Sequence, residues 1–236
     1  MSWNRESLSF IGATFLIASS IFGSQLQAAP AARLGANALQ FDVSARIIVL
    51  KNGKPDADLP PQTIAANVAV KGQNARVETE SRSKPVVFLV SPTTLIKLLP
   101  SQNAGVRWKI DARTWTSQTA ASGATSSTRL TVQTLMSDPS MIRASLIKSG
   151  ARKTGSARLN GILVDIFSAA KFGGKAQKLT AWLRRSDALP LRVQTLSPTL
   201  SSTLSWTNYR RVNLNDSFFR SPVGYALREG TGQPYL

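Results

Sequence analysis

The sequence predicts an α+β chain in which antiparallel β-sheet predominates, and three observations carry that prediction. Short runs with a two-residue period recur from Phe41 to Asn213, clusters of turn residues separate them, and one segment alone combines the cap, period and stop of a helix. No repeat of fixed period occurs, which disfavours solenoids and propellers.

The chain opens on a polar lead containing Arg5, passes into an apolar stretch from Leu8 to Phe22, and then reaches small residues. That is the order of a secretory signal peptide, so residues 1–28 are expected to be removed, with the cut after Ala28 or, failing that, after Ala31. The apolar stretch is shorter than the ~20 residues that span a bilayer, which weighs against its retention as an anchor. No Cys follows it to accept a lipid. Residues 29–40 are small and alanine-rich and read as a flexible segment or a single helical turn.

From Phe41 the period becomes two, with Phe41, Val43, Ala45, Ile47 and Val49 on one side of a strand. Asn52-Gly53 marks a turn. Gln62 to Val70 is expected to pair with Ala75 to Glu80 across Lys71-Gly72-Gln73, and Pro85 to Val90, apolar on both sides, reads as a central strand. Leu95 to Leu99 and Val106 to Ile110 extend the meander. Residues 114–128 are Ser/Thr/Ala-rich and aperiodic, hence a loop.

Asp138, Pro139, the Ile142/Leu146 face and Gly150 predict a helix over 138–149. Sheet resumes at Ile162 to Ser168, Lys178 to Arg185, Leu189 to Leu196 and Ser202 to Asn213. Phe218, Phe219 and Pro222 are expected to fold back as an apolar plug ahead of a loose end. The expected organisation is a single domain over 41–225 with a tail over 226–236.

Composition limits the chemistry. The chain has no His and no Cys, which removes the commonest general base, thiol nucleophiles, disulfides and the usual zinc ligands. No phosphate-binding glycine loop is present, and Lys171-Phe172-Gly173-Gly174-Lys175 lies between two strands rather than opening a helix. Glu78 and Glu80 share a strand face, but a wet face explains them. No catalytic residue, cofactor or metal is therefore expected. The formal charge of +17 favours anionic partners, a membrane surface or acidic polymers, and export makes nucleic acid the least available of them.

Large apolar side chains remain: Phe88, Trp108, Phe167, Trp182 and Trp206 on strands, with Ile142 and Leu146 on the helix. They are either plain core or the lining of a hollow that takes a lipophilic ligand.

The marks of the second half run in a recognisable order. They are Ile147-Lys148-Ser149-Gly150-Ala151, Leu159-Asn160-Gly161-Ile162, Ala181-Trp182-Leu183-Arg184-Arg185, Ala188-Leu189-Pro190-Leu191-Arg192-Val193 and Phe219-Arg220-Ser221-Pro222-Val223-Gly224. In this order they resemble the LolA-like superfamily of periplasmic lipoprotein carriers and their relatives, well over 138–225 and loosely over 41–110. The resemblance implies a strongly curved antiparallel half-barrel of about nine to eleven strands, with one or two helices on its concave side. It also implies a non-enzymatic, monomeric carrier in the bacterial periplasm or envelope that holds the acyl chain of a lipid or lipoprotein in an apolar cavity. Phe88, Trp108, Ile142, Leu146, Phe167, Trp182 and Trp206 are then the expected lining. The long amphipathic helix ahead of the first strand in true carriers has no counterpart in 29–40. The other expectation is an envelope interaction module that uses its basic surface.

Overall fold

The alternating runs fold as strands, and the turns between them fall where left-handed backbone is tolerated. The computed structural model describes residues 38–81, 83–110, 139–171 and 178–231. The expected signal peptide, most of 29–40, the 114–128 loop, the Asp138 cap and residues 172–175 lie outside that range.

There are thirteen strands: β1 (Ala38–Lys51), β2 (Lys54–Pro55), β3 (Gln62–Lys71), β4 (Asn74–Ser81), β5 (Lys84–Val90), β6 (Thr94–Leu99), β7 (Ala104–Lys109), β8 (Arg152–Leu159), β9 (Ile162–Ala169), β10 (Lys178–Arg184), β11 (Pro190–Leu196), β12 (Leu200–Val212) and β13 (Ala226–Glu229). The helix α1 (Ile142–Lys148) continues a 3-10 turn at Pro139–Met141. Hydrogen bonding orders the strands β13-β7-β6-β5-β4-β3-β1-β12-β11-β10-β9-β8, with β2 on β1. Pairings from β3 to β7 and from β8 to β12 are antiparallel, whereas β13 joins β7 in parallel.

Three differences from expectation have physical reasons. The count exceeds about nine to eleven because β2, β8 and β13 carry no apolar alternation. The chain is already extended at Ala38, where a flexible segment or helical turn is expected, because Ala38 and Leu39 are buried. The end of the chain is not loose at 226–229, since Leu227 packs with Tyr225 on Val87, Leu89 and Leu98.

The chain divides into two compact units. In the first, which contains residues 38–42, 66–110 and 208–231 among those described, direct cross-strand partners fix the faces. Val70, Ala75, Val90, Leu95 and Trp108 form one row, and Val68, Val77, Phe88, Lys97 and Val106 the next row on the same side. All members but Lys97 and Val106 are buried. Phe41 belongs to this side too, because Gln40 and Asp42 bond Asn67 on the reverse.

The C-terminal segment closes that reverse side. Phe218 and Phe219 pack with Ala38 and Ala69. The Arg76 guanidinium lies 4.7 Å over the Phe218 ring, donates to the Phe218 carbonyl and pairs with Glu78 at 2.7 Å. Lys71 donates to the Leu214 carbonyl and to Asp216, each at 2.8 Å. The expected apolar plug is thus present, and it is held by cations as well as by rings. Gly230 lies against the indole of Trp108, where an added Cβ would collide with Nε1 and force the ring to shift.

The second unit contains residues 43–65 and 139–207, apart from those not described. Leu179, Ala181, Phe167, Val193 and Leu204 share one side of β9 to β12, and Trp206 follows Leu204 by the two-residue period. Asn160 and Gly161, with φ of 50° and 79°, make the left-handed two-residue turn that antiparallel hairpins favour between β8 and β9. Ile142 and Leu146 bury one face of α1, and Gly150 ends the segment at φ 87°, as the sequence predicts.

Candidate ligand-binding site

Of the seven residues expected to line a hollow, two are in the first unit and five in the second. Phe88 and Trp108 share the apolar side of the first unit, with Trp108 leaning over Gly230 at the β7/β13 edge. Ile142, Leu146, Phe167 and Trp206 are buried in the second unit, where the Arg143 guanidinium of α1 sits 5.9 Å from the Phe167 ring centre. Trp182 stands apart from Phe167. It pairs with Ile166 and Arg192, whereas its neighbours Ala181 and Leu183 take the buried side with Phe167, so Trp182 is on the opposite face from Phe167. The Arg192 guanidinium lies 5.8 Å from its ring centre, within cation–π range.

Sequence reasoning missed the most unusual member of the first unit's apolar side. Lys97 stands between Phe88 on β5 and Val106 on β7, with Leu95 and Leu99 two residues to either side. Its ammonium is 5.8 Å from the Phe88 ring centre, and burial pushes its pKa down. The signal was present as parity, because in Thr94–Leu99 the lysine shares a face with the two leucines rather than with solvent.

Two carboxylates organise polar faces. Asp42 accepts from Asn208 at 2.6 Å and from Asn67 at 2.7 Å, and these two hydrogen bonds, that from Asn208 foremost, hold its carboxyl below the ordinary value. Asp165 gathers Lys153 at 2.9 Å, Arg185 at 3.1 Å and Ser156 at 3.0 Å. The Lys153 hydrogen bond leads in drawing it from 3.8 to about 2, with Ser156 and Arg185 assisting against desolvation.

A carboxyl whose pKa is lowered by folding adds stability that is complete above its unfolded value and fades as pH drops through the folded one. Asp165→Asn is therefore expected to lower Tm at neutral pH. The gap to the wild type should close as pH falls from about 4 to about 2, read by circular dichroism melts across that range. A gap that stays constant contradicts the assignment.

Glu78, one member of the pair on β4, is engaged by Arg76. Among the described residues no three acidic side chains cluster so as to hold a metal ion, and no helix is long and apolar enough to cross a membrane.

No protein-family model matches the sequence, and no curated protein matches it. Solved structures do. An uncharacterised conserved protein from Thermus thermophilus aligns over 83% of this chain and 91% of its own, at 13% identity and a TM-score of 0.50. This chain shares that fold.

A LolA superfamily protein from Nitrosomonas europaea aligns over 88% of this chain and 97% of its own, at 11% identity and a TM-score of 0.36. The lipoprotein LppX of Mycobacterium tuberculosis aligns over 87% and 96%, at 14% identity and a TM-score of 0.40. The structures similar to this chain include one that carries the name of the superfamily its sequence marks resemble.

Proposed function

We propose that the chain is a non-catalytic, exported envelope protein that holds an acyl chain of a lipid or lipoprotein against the apolar side of β3 to β7. One observation carries the reading. That side presents an unbroken row from Val70 through Ala75, Val90 and Leu95 to Trp108, while the chain's own C-terminal segment already occupies the reverse. The LolA resemblance implies half-barrel curvature, which supplies the room, and Phe88 and Trp108 are the aromatic walls. Trp182 has no part in it.

Each methylene taken out of water contributes about 0.8 kcal/mol, so a long alkyl chain binds without any strong polar contact. Surplus Lys and Arg, +17 in all, draw the domain to anionic head groups at up to ~1 kcal/mol each near a charged surface. The two steps separate by salt. A fluorescent fatty-acid analogue titrated into the mature chain should bind saturably, with an affinity little changed by salt, whereas adhesion to anionic vesicles should weaken as salt is added. Absence of saturable probe binding contradicts the proposal.

A further inference from the structure

The β8–β9 hairpin ends in apolar side chains that folding leaves in water. Directly after the Asn160-Gly161 turn, Ile162 is 38% exposed and Leu163 44%. A single exposed leucine on a protein surface is ordinary. The cross-strand register makes this pair different. Leu159 pairs with Ile162 and closes the turn, while Leu163 stands between Arg158 on β8 and Arg185, just past β10, whose N–H donates to the Leu163 carbonyl at 3.0 Å. Successive side chains take opposite faces, so Leu159 and Ile162 are on one face of the ribbon and Leu163 is on the other. The tip is apolar on both faces, with a guanidinium on either side of Leu163.

Its charge is of one sign. Arg158 and Arg185 are exposed, and Asp165 is bonded to both Lys153 and Arg185, so with Arg158 added the hairpin end keeps a net positive charge. The tip is also preformed. Asn160 and Gly161 make the turn that antiparallel ribbons favour, and Arg158 braces it by donating to the Gly161 carbonyl at 3.1 Å. A preformed element loses little freedom on docking.

We propose that the end of the β8–β9 hairpin is a membrane-docking point, where Ile162 and Leu163 enter the acyl region of an anionic phospholipid surface and Arg158 and Arg185 bond the lipid phosphates. This rests on the membrane step of the reading above and gives that step a place on the molecule. A bilayer is favoured over a protein partner because a fluid surface closes around both faces of a ribbon end, whereas a folded partner laid against it covers one. The guanidinium forks suit phosphate oxygens, and their aliphatic stems lie along the apolar boundary beside the leucine.

The chain has no Cys, so Leu163→Cys takes a single environment-sensitive nitrobenzoxadiazole label. Lys54→Cys, exposed on β2, takes the same label beside β1, which β12, β11 and β10 separate from β9 in the strand order. Vesicles of equal parts phosphatidylcholine and phosphatidylglycerol should shift the emission at 163 to the blue, with quenching by lipid-borne nitroxide, and leave the label at 54 unchanged. In cosedimentation with the same vesicles, Ile162→Asn with Leu163→Asn is expected to weaken adhesion about tenfold, the effect of withholding two part-exposed apolar side chains from lipid. Arg158→Gln with Arg185→Gln should weaken it about tenfold at low salt and little at high salt. Thermal melts accompany both double variants, and the label at 163, a single exposed substitution, answers the question if they do not fold.

Adhesion of the labelled protein with the label at 163 still in water overturns the docking point and leaves the membrane step standing. Adhesion of both double variants at the wild-type level does the same. A label at 163 that responds to soluble polyglutamate as it does to vesicles overturns the lipid assignment. A wild type that does not sediment with these vesicles at low salt removes the membrane step, and this inference with it, while the fatty-acid titration judges acyl binding separately.

Discussion

Phe41→Ala is expected to destabilise the chain by about 3–5 kcal/mol, the range for emptying a fully buried phenylalanine site. Phe41 has no exposed surface, and its ring meets Tyr209 at 5.5 Å between centres, tilted by 42°. Its immediate neighbours along β1, Gln40 and Asp42, face the other way, held by Asn67, and cannot refill the space. Phe41→Leu should lose much less, because it keeps most of the volume. Urea unfolding followed by tryptophan fluorescence checks both. A loss below about 1 kcal/mol for the alanine variant places Phe41 outside the packed side of the sheet.

The second large effect is expected at the helix. Helix α1 has seven residues, too few to persist without packing, and it has no side-chain N-cap bond. Its hold on the second unit comes from Ile142 and Leu146, which are 1% and 0% exposed, whereas Ile147 beside them is 53% exposed. Leu146→Ala should therefore cost about 2–5 kcal/mol, and Ile147→Ala within about 0.5 kcal/mol of nothing. Thermal melts of the pair give the comparison. Equal effects at 146 and 147 contradict this helix orientation.

Much of the scaffold was legible because burial on one face writes itself as parity. The runs from Phe41 to Ile47, Ala75 to Glu80 and Pro85 to Val90 became β1, β4 and β5, and Asn52-Gly53 made its turn with φ of 54° and 75°. The strand β8 was illegible for the same reason in reverse. Arg152–Leu159 stands at the end of the strand order with nearly every residue wet, so it has no apolar face to announce it. The strand β13 depends on a partner more than a hundred residues away, and a four-residue Ala-Leu-Arg-Glu segment carries no local sign of parallel pairing.

Side-chain size misled where parity would have served. Choosing large aromatic residues grouped Trp182 with Phe167, but the buried positions of β10 are Leu179, Ala181 and Leu183, and Trp182 falls between them. The same rule reads Leu95, Lys97 and Leu99 as one face, which is how the lysine on the apolar side would have been found. Placement of the C-terminal segment was partly legible, since Phe218 and Phe219 are conspicuous. The cations that clasp it, Lys71 and Arg76, were not, because a charged residue on a strand is ordinarily solvated.

Native mass spectrometry of the protein, purified from its own cells without detergent, bears most directly on whether the apolar side of β3 to β7 carries an acyl ligand. The expected spectrum contains a population heavier than the bare polypeptide by one long-chain lipid, released on activation as an extractable acid or acyl ester. A spectrum of bare polypeptide alone, from protein that also leaves a fatty-acid probe unbound, would show that Val70, Ala75, Val90, Leu95 and Trp108 serve only to hold the sheet together.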